Sequence, residues 1–426
     1  MPIAVEPKIL DLERVVARTL PNGLRVRLYP DSLVPTVSYY TFFRVGSRNE
    51  RPGLTGISHL FEHMMFNGSQ RYGPKEFDRI LEANGGTSNA YTSNDVTVYY
   101  DDFAAEALPT VIDLESDRVR SLRLDEETLE QERAVVKEER RLRTDNSTFG
   151  LMEEQLEGLV YQAHPYRWPV IGWMDDIDRI AREDCLSYFR TYYAPSNAAL
   201  YVAGDIDPEV AMRQIEEAYG DIPQGPAVPP VPAGEPEQRG ERRAEVRYPA
   251  QAAAVVVGFR GPPACHPDAA ALDVLQACLA VGEGSRLRRR LVQQEVAVSA
   301  SIGWAWRIDP GVFMLFLELA PGASRKRAEE ALFRELDRVA TRGVQKGEVE
   351  RARRLLRSSV LHELATRSGV AHALGQAELL LGDWRHATKA LEQYREVGPP
   401  DVRRVAEAYL APRSRNVVWL EPESSP

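Results

Sequence analysis

The chain has 426 residues, 43% of them hydrophobic and 27% charged, with a formal net charge of −10. This is the composition of a soluble globular protein with room for about two to four ordinary domains; it excludes disorder, and the longest apolar runs, such as 252–257, cannot span a bilayer. No basic stripe with interleaved aromatics is present, so no nucleic-acid partner is expected; the cluster Arg286 to Arg290 reads as a solvated helix face.

In chain order, the N-terminus lacks a basic region followed by an apolar one, which gives an expected cytoplasmic location, or a periplasmic one if a signal peptide was removed, with no membrane anchor. From Thr19 to Gly46 the pattern is strands around turns: Asn22-Gly23 signals a hairpin, Leu24, Val26 and Leu28 alternate with Arg25 and Arg27, and Val37 to Val45 is β-rich. The spacing predicts a helix over Lys75 to Asn84 closed by Gly85-Gly86, a strand over Asn89 to Tyr100, and helical periodicity from Leu108 to Arg143. A strand at Ala198 to Ala203 and a helix at Pro208 to Tyr219 follow. Then Gly220 to Gly240, with Pro223, Pro226, Pro229, Pro230, Pro232 and Pro236, can hold neither a helix nor a central strand and reads as a linker.

Beyond the linker the pattern recurs. Phe43-Arg44 precedes Phe259-Arg260 by 216 residues, Gly68-Ser69 precedes Gly284-Ser285 by 216, and Tyr193 precedes Tyr409 by 216. A shared offset indicates duplication. The expected organisation is α+β, two homologous α/β-sandwich domains of mostly antiparallel sheet with helices packed on it: residues 1–220, a linker at 221–242, and a second domain at 243–426. The three cysteines, Cys185, Cys265 and Cys278, are too far apart for a Cys-x-x-Cys site and read as buried or inert thiols.

The chemistry is concentrated in His59-Leu60-Phe61-Glu62-His63. On a helix over Gly56 to Phe66, Ile57, Leu60, Phe61 and Met64 share one face, while His59, Glu62 and His63 share the opposite one, which would look into a cleft. Histidines at i and i+4 can direct ring nitrogens at one ion, and Glu62 between them can act as general base on a water that the ion acidifies. Zinc needs a third protein ligand. The acidic stretch Glu126 to Arg140 is a rich source, with Glu132 and Glu139 two turns apart on one face; on spacing alone that pair is equally a solvated face. The remaining histidines have no ligand partner at helical spacing and read as structural or exposed.

With these motifs the chain resembles the inverted-zincin peptidase family of pitrilysin, insulin-degrading enzyme and the mitochondrial processing peptidase, and in particular its short bacterial zinc-bearing subunits. The likeness covers nearly the whole chain and is carried by His59 to Gly68, Asn89-Ala90-Tyr91-Thr92 with Asp95 to Tyr99, Glu132 to Glu139, His164-Pro165-Tyr166, and Tyr193 to Asn197 followed by Ala203-Gly204-Asp205. The resemblance implies a zinc-dependent endopeptidase holding one Zn2+ per chain through His59, His63 and Glu139, with Glu62 as general base and Glu132 as a supporting carboxylate. It further implies that Asn89 and Ala90 lie on an edge strand that binds the substrate backbone of unfolded peptides by strand addition, inside an enclosed chamber.

One departure matters. At the 216-residue offset, Leu275, Cys278, Leu279 and Leu355 stand where His59, Glu62, His63 and Glu139 stand, so the second half carries no metal site. Family members whose second half completes the active site carry an Arg and a Tyr after the Ser-Arg-Leu motif; counted from Ser285-Arg286-Leu287, Val292 and Ser299 occupy those places. The resemblance therefore implies a heterodimer with a homologous zinc-free subunit that supplies the Arg and Tyr. The alternatives are a self-sufficient homodimeric peptidase and a non-catalytic scaffold subunit of the same fold. Manganese or cobalt could replace zinc in such a ligand set.

Overall fold

The computed structural model of the chain describes residues 10–423. Its strands are β1 (Val16–Thr19), β2 (Arg25–Pro30), β3 (Thr36–Phe43), β4 (Thr87–Thr92), β5 (Thr97–Ala104), β6 (Ala198–Gly204), β7 (Arg242–Tyr248), β8 (Ala254–Arg260), β9 (Ala297–Trp304), β10 (Val312–Leu319) and β11 (Asn416–Pro422). They form two sheets, ordered β1-β2-β6-β3-β5-β4 and β7-β11-β8-β10-β9. Without β1, the first order maps onto the second strand for strand. The directions agree too: β2 with β6 and β7 with β11 are parallel, and every other pair is antiparallel. The fold is a duplicated α+β architecture.

The helices are α1 (Ile57–Met64), α2 (Glu76–Ala83), α3 (Leu108–Ser121), α4 (Glu126–Arg140), α5 (Thr148–Val160), α6 (Met174–Arg179), α7 (Arg182–Tyr192), α8 (Pro208–Tyr219), α9 (Ala269–Ala280), α10 (Arg325–Arg342), α11 (Lys346–Glu363), α12 (Arg367–Leu381), α13 (Lys389–Glu396) and α14 (Pro399–Tyr409). Among the described residues none is long and apolar enough to cross a membrane. Two expectations change. The single strand over 89–100 is a hairpin, β4 and β5, because the Ser93 hydroxyl accepts from the Asp95 and Val96 amides while Ser93 N–H donates to the Val96 carbonyl, closing a tight turn. The Arg cluster is also not wholly solvated: Arg286 is half-buried between Glu335, 3.0 Å away, and Glu348, 2.7 Å away.

Two compact units result, and neither is continuous in sequence. One contains residues up to Glu138, Pro169–Val231 and Leu361–Thr388; the other contains Glu139–Trp168, Pro232–Val360 and the chain from Lys389 on. Boundaries at 220 and 243 therefore do not delimit them. The cause is an exchange of matching helices: α12, from the second half, packs on β3 and β6 of the first sheet, and α5, from the first half, packs on β7, β8 and β11 of the second.

The residues at these contacts are complementary in size. Strands alternate faces, so Val37, Tyr39 and Phe43 of β3 enter the first core while Tyr40 and Phe42 meet α12. Phe42 sits on Gly375, where a Cβ would lie 2.3 Å from the ring. At the 216-residue offset, β8 has Gly258 in place of Phe42, and a Cβ there would lie 2.9 Å from Leu156 of α5. Leu156 and Gly375 each stand nine residues beyond an N-cap, Ser147 and Thr366, whose side chain accepts from Gly150 or Gly369. Large meets small in both contacts, with the roles inverted. Each helix on its own half's sheet would instead set Leu156 against Phe42 and Gly375 against Gly258, one pair overpacked and the other empty. Accordingly, Gly375→Leu is expected to destabilise the fold by about 1–3 kcal/mol, and Phe42→Ala in the same chain to recover part of that loss, as a double-mutant cycle in urea would measure.

Candidate metal centre

Helix α1 has only eight residues, too few to persist alone, so its surroundings must hold it. Ile57, Leu60, Phe61 and Met64 are fully buried in the first core. Phe61 lies among the rings of Tyr188, 5.3 Å, and Tyr193, 5.0 Å, and the Tyr99 hydroxyl of β5 donates to the Phe61 carbonyl at 3.1 Å. At the helix start the buried Glu50 carboxylate accepts from the Gly56 and Ser58 amides, each at 2.8 Å. Burial pushes this carboxyl up to about 8, with the bonds from Ser58 and Gly56 pulling the other way. Gly56, at φ +89°, and Gly172, at φ +82°, bring two loops into backbone contact; a Cβ on Gly56 would lie 2.6 Å from the Ile171 carbonyl oxygen. Asp176 ties the same loops together by accepting from the Thr55 hydroxyl at 2.7 Å and from the Gly53 amide at 3.2 Å.

With the apolar face fixed, His59, Glu62 and His63 share the rest of α1. His59 is buried, Glu62 and His63 are half-buried, and the two imidazoles stand nearly perpendicular with centroids 5.0 Å apart. Helix α4 is positioned by Leu129 and Val136, both buried in the first core seven residues apart. Glu132 and Glu139, each three residues further on, repeat that spacing along a neighbouring stripe. Glu138, the next residue round, is exposed.

These elements bring His59, His63 and Glu139 together: one ligand atom from each lies within 4.8 Å of the others, the one such cluster among the described residues. The division between compact units falls after Glu138, inside α4, but the helix is continuous through Arg140, so Glu139 takes its place from the preceding turns. Glu132 meets the same group from behind. Its Oε2 is 3.3 Å from His63 Nδ1. The bond from His63, assisted by Asn67 and opposed by desolvation, holds the Glu132 carboxyl below its ordinary range. A carboxylate on Nδ1 leaves Nε2 to face an ion, an arrangement typical of metal-binding histidines. Two imidazoles and one carboxylate with a supporting second carboxylate fit a divalent ion that keeps an open coordination position. Arg143 pairs with Glu139 at 2.8 Å from a largely exposed position, so it can turn away to solvent.

Asn89 and Ala90 are not members of this cluster; they lie on β4 at the edge of the first sheet, where no strand among the described residues pairs with the outer side. Asn89 pairs with Tyr100 and Ala90 with Tyr99 in the β5 register. The Ala90 amide donates to the Asn89 side-chain oxygen at 2.8 Å. Helix α1 packs against both β4 and β5, which links the edge strand to the helix that carries His59 and His63. Glu50, Tyr99 and Asp176 were not found by motif spacing. The clue to Glu50 and Asp176 was the glycine-rich run before the helix, Pro52-Gly53-Leu54-Thr55-Gly56, whose exposed amides need acceptors.

Comparison with known proteins identifies the family. The profile described as Insulinase (Peptidase family M16) matches residues 26–172, which contain all of the clustered residues, and the profile described as Peptidase M16 inactive domain matches 179–356. A Helicobacter pylori protein called zinc protease PqqE is 30% identical over 95% of this chain and 92% of its own length. The chain belongs to peptidase family M16. A probable mitochondrial-processing peptidase subunit beta from Arabidopsis thaliana is 27% identical over 96% of this chain and 78% of its own. The crystal structure of a Helicobacter pylori protease superposes with a TM-score of 0.92 at 30% identity, covering 96% of this chain and 99% of that one. A Pseudomonas fluorescens structure described as a peptidase M16 inactive domain shares the fold at TM-score 0.86 and 17% identity, over 96% and 98% of the two chains. These relatives place the M16 chain among metallopeptidases in general.

The two candidate glutamates are separable by experiment. Glu139→Gln should lower zinc affinity by at least about tenfold, whereas Glu138→Gln should leave it unchanged, as equilibrium dialysis against zinc with metal analysis would show.

Proposed function

We propose that this M16 chain is a zinc-dependent endopeptidase of the inverted-zincin type that hydrolyses unfolded peptides. The observation that carries the reading is the convergence of His59, His63 and Glu139 to within 4.8 Å, with Glu132 on the far nitrogen of His63. His59, His63 and Glu139 hold the ion, one per chain. A bound zinc supplies Lewis acidity, which polarises a peptide carbonyl and makes water a nucleophile at neutral pH.

The remaining work belongs to the chain's own residues. Glu62, between the two histidines, takes the proton of the attacking water and returns it to the leaving amine as the C–N bond breaks. Glu132 keeps His63 in one tautomer and one orientation. The open side of β4 receives an extended peptide by main-chain pairing, which asks little of side chains and selects unfolded segments. In that step a substrate carbonyl replaces the Asn89 side chain on the Ala90 amide. The expected result for Glu62→Gln is retained zinc with hydrolysis of an unstructured fluorogenic peptide reduced by about 100-fold or more; turnover near the parent rate would refute the assignment.

We further propose that the chain works as the zinc-bearing subunit of a heterodimer around an enclosed chamber. The support lies in the second half: Leu275, Cys278 and Leu279 are fully buried apolar side chains, and Val292 and Ser299 offer neither a guanidinium nor a phenol. A zinc-free homologous subunit would bring those groups. The chain purified alone should show weak peptidase activity that rises on adding the partner identified by native mass spectrometry of the source cell. Full activity without a partner would favour the self-sufficient homodimer. A scaffold role is disfavoured because all the motif residues are retained.

A further inference from the structure

Edge strand β4 is paired with a strand on one side only, β5, and α1 and α2 pack on it from the core face; the open edge of such a strand can fray. Here it has a further anchor, on the face of the sheet that α12 covers. The side chain of Tyr91, the residue after Ala90, reaches α12: its hydroxyl lies 3.0 Å from Nε2 of His372 and accepts from the Gln376 amide at 2.8 Å. On the other side of the imidazole, Nδ1 lies 3.1 Å from Oε1 of Glu363, at the end of α11. With a neutral imidazole the roles follow from Glu363, and the Gln376 amide also lies 3.3 Å from Nε2 of His372. Glu363 can only accept, so Nδ1 carries the proton, Nε2 accepts from the Tyr91 hydroxyl, and the phenolic oxygen receives the Gln376 N–H. The His372 ring is confined as well, with the rings of Tyr40 and Phe42 at 6.0 and 6.3 Å. Burial raises the Tyr91 phenol above its ordinary range, which keeps it a donor.

We propose that Glu363, His372 and Gln376 are positioning residues for substrate: by clamping Tyr91 they fix the backbone of β4 at Asn89 and Ala90, where an extended peptide is received. The inference rests on the reading of β4 as the substrate strand. It assigns a task to α12, the helix that the second half of the chain contributes to the first sheet. None of the three residues belongs to the metal cluster, so their loss should weaken peptide binding and leave zinc in place.

The test uses the full-length zinc-loaded chain carrying Glu62→Gln, which holds peptide without cleaving it, and reads anisotropy of a fluorescein-labelled unstructured peptide. Adding Tyr91→Phe or His372→Ala is expected to raise Kd by about three- to tenfold, the effect of losing a net hydrogen bond or two. His372→Gln, whose side-chain oxygen can take the place of Nε2, should recover Kd to within about twofold, which a general loss of packing would not allow. Hydrogen exchange of residues 87–92 should quicken in His372→Ala while α1 keeps its protection and zinc content is unchanged. Equal Kd values across these variants, or a loss that His372→Gln fails to rescue, would overturn the positioning role alone. If the Glu62→Gln chain binds no peptide either alone or together with the zinc-free subunit, the substrate-strand reading itself has failed and this inference falls with it.

Discussion

Everything at the metal centre depends on the immobilisation of one short helix. An isolated eight-residue helix melts in water, and a flexible one would scatter its two imidazoles. Burial of Ile57, Leu60, Phe61 and Met64, at roughly 1.5–3 kcal/mol each, fixes the roll of α1 about its axis. Glu50 on the first-turn amides and the Tyr99 hydroxyl on the Phe61 carbonyl fix its ends. The side of the helix left over bears the buried His59 and the half-buried Glu62 and His63. The side chains proposed as ligands are thus held in place by the fold itself, and an ion bound there would not have to order them.

The same logic places Glu139, the proposed third ligand. Helix α4 has no chemical specificity in its sequence of alternating charges, but Leu129 and Val136 occupy the core seven residues apart, and this sets which glutamates turn towards α1. Glu132 and Glu139 follow that register. Glu138 does not, and it stays in solvent. Two apolar residues therefore decide which of the helix's glutamates become chemical groups.

Duplication supplies a scaffold whose halves have diverged at matched positions. Where the first half has His59, Glu62 and His63, the second has Leu275, Cys278 and Leu279, all buried and without polar reach, so α9 is a core helix and nothing more. The inverted pairs Phe42 with Gly375 and Gly258 with Leu156 extend the divergence to packing. Exchange of α5 and α12 means that neither half completes its own sheet covering. It also lets α12 carry His372 and Gln376 to the strand beside the metal helix.

The sequence by itself determined a good deal. The hairpin at Asn22-Gly23, the helix over Pro208 to Tyr219, the irregular linker and the 216-residue repeat are local or periodic signals, written in turn chemistry, alternation and a constant offset. The pairing of His59 with His63 was equally legible, because i, i+4 spacing on a helix is a property of the helix alone. Three things were decided only by tertiary structure. The turn at Ser93 splits one predicted strand in two through a side-chain hydroxyl whose bonding no periodicity records. Glu50 serves α1 from a loop and Asp176 from the six-residue helix α6, both too short to carry a repeating pattern. The exchanged helices could not be foreseen, since α5 and α12 have the capping and apolar pattern of helices that could seat on either sheet. Only the size of the residue facing each of them, a contact between positions far apart in the chain, settles which sheet that is.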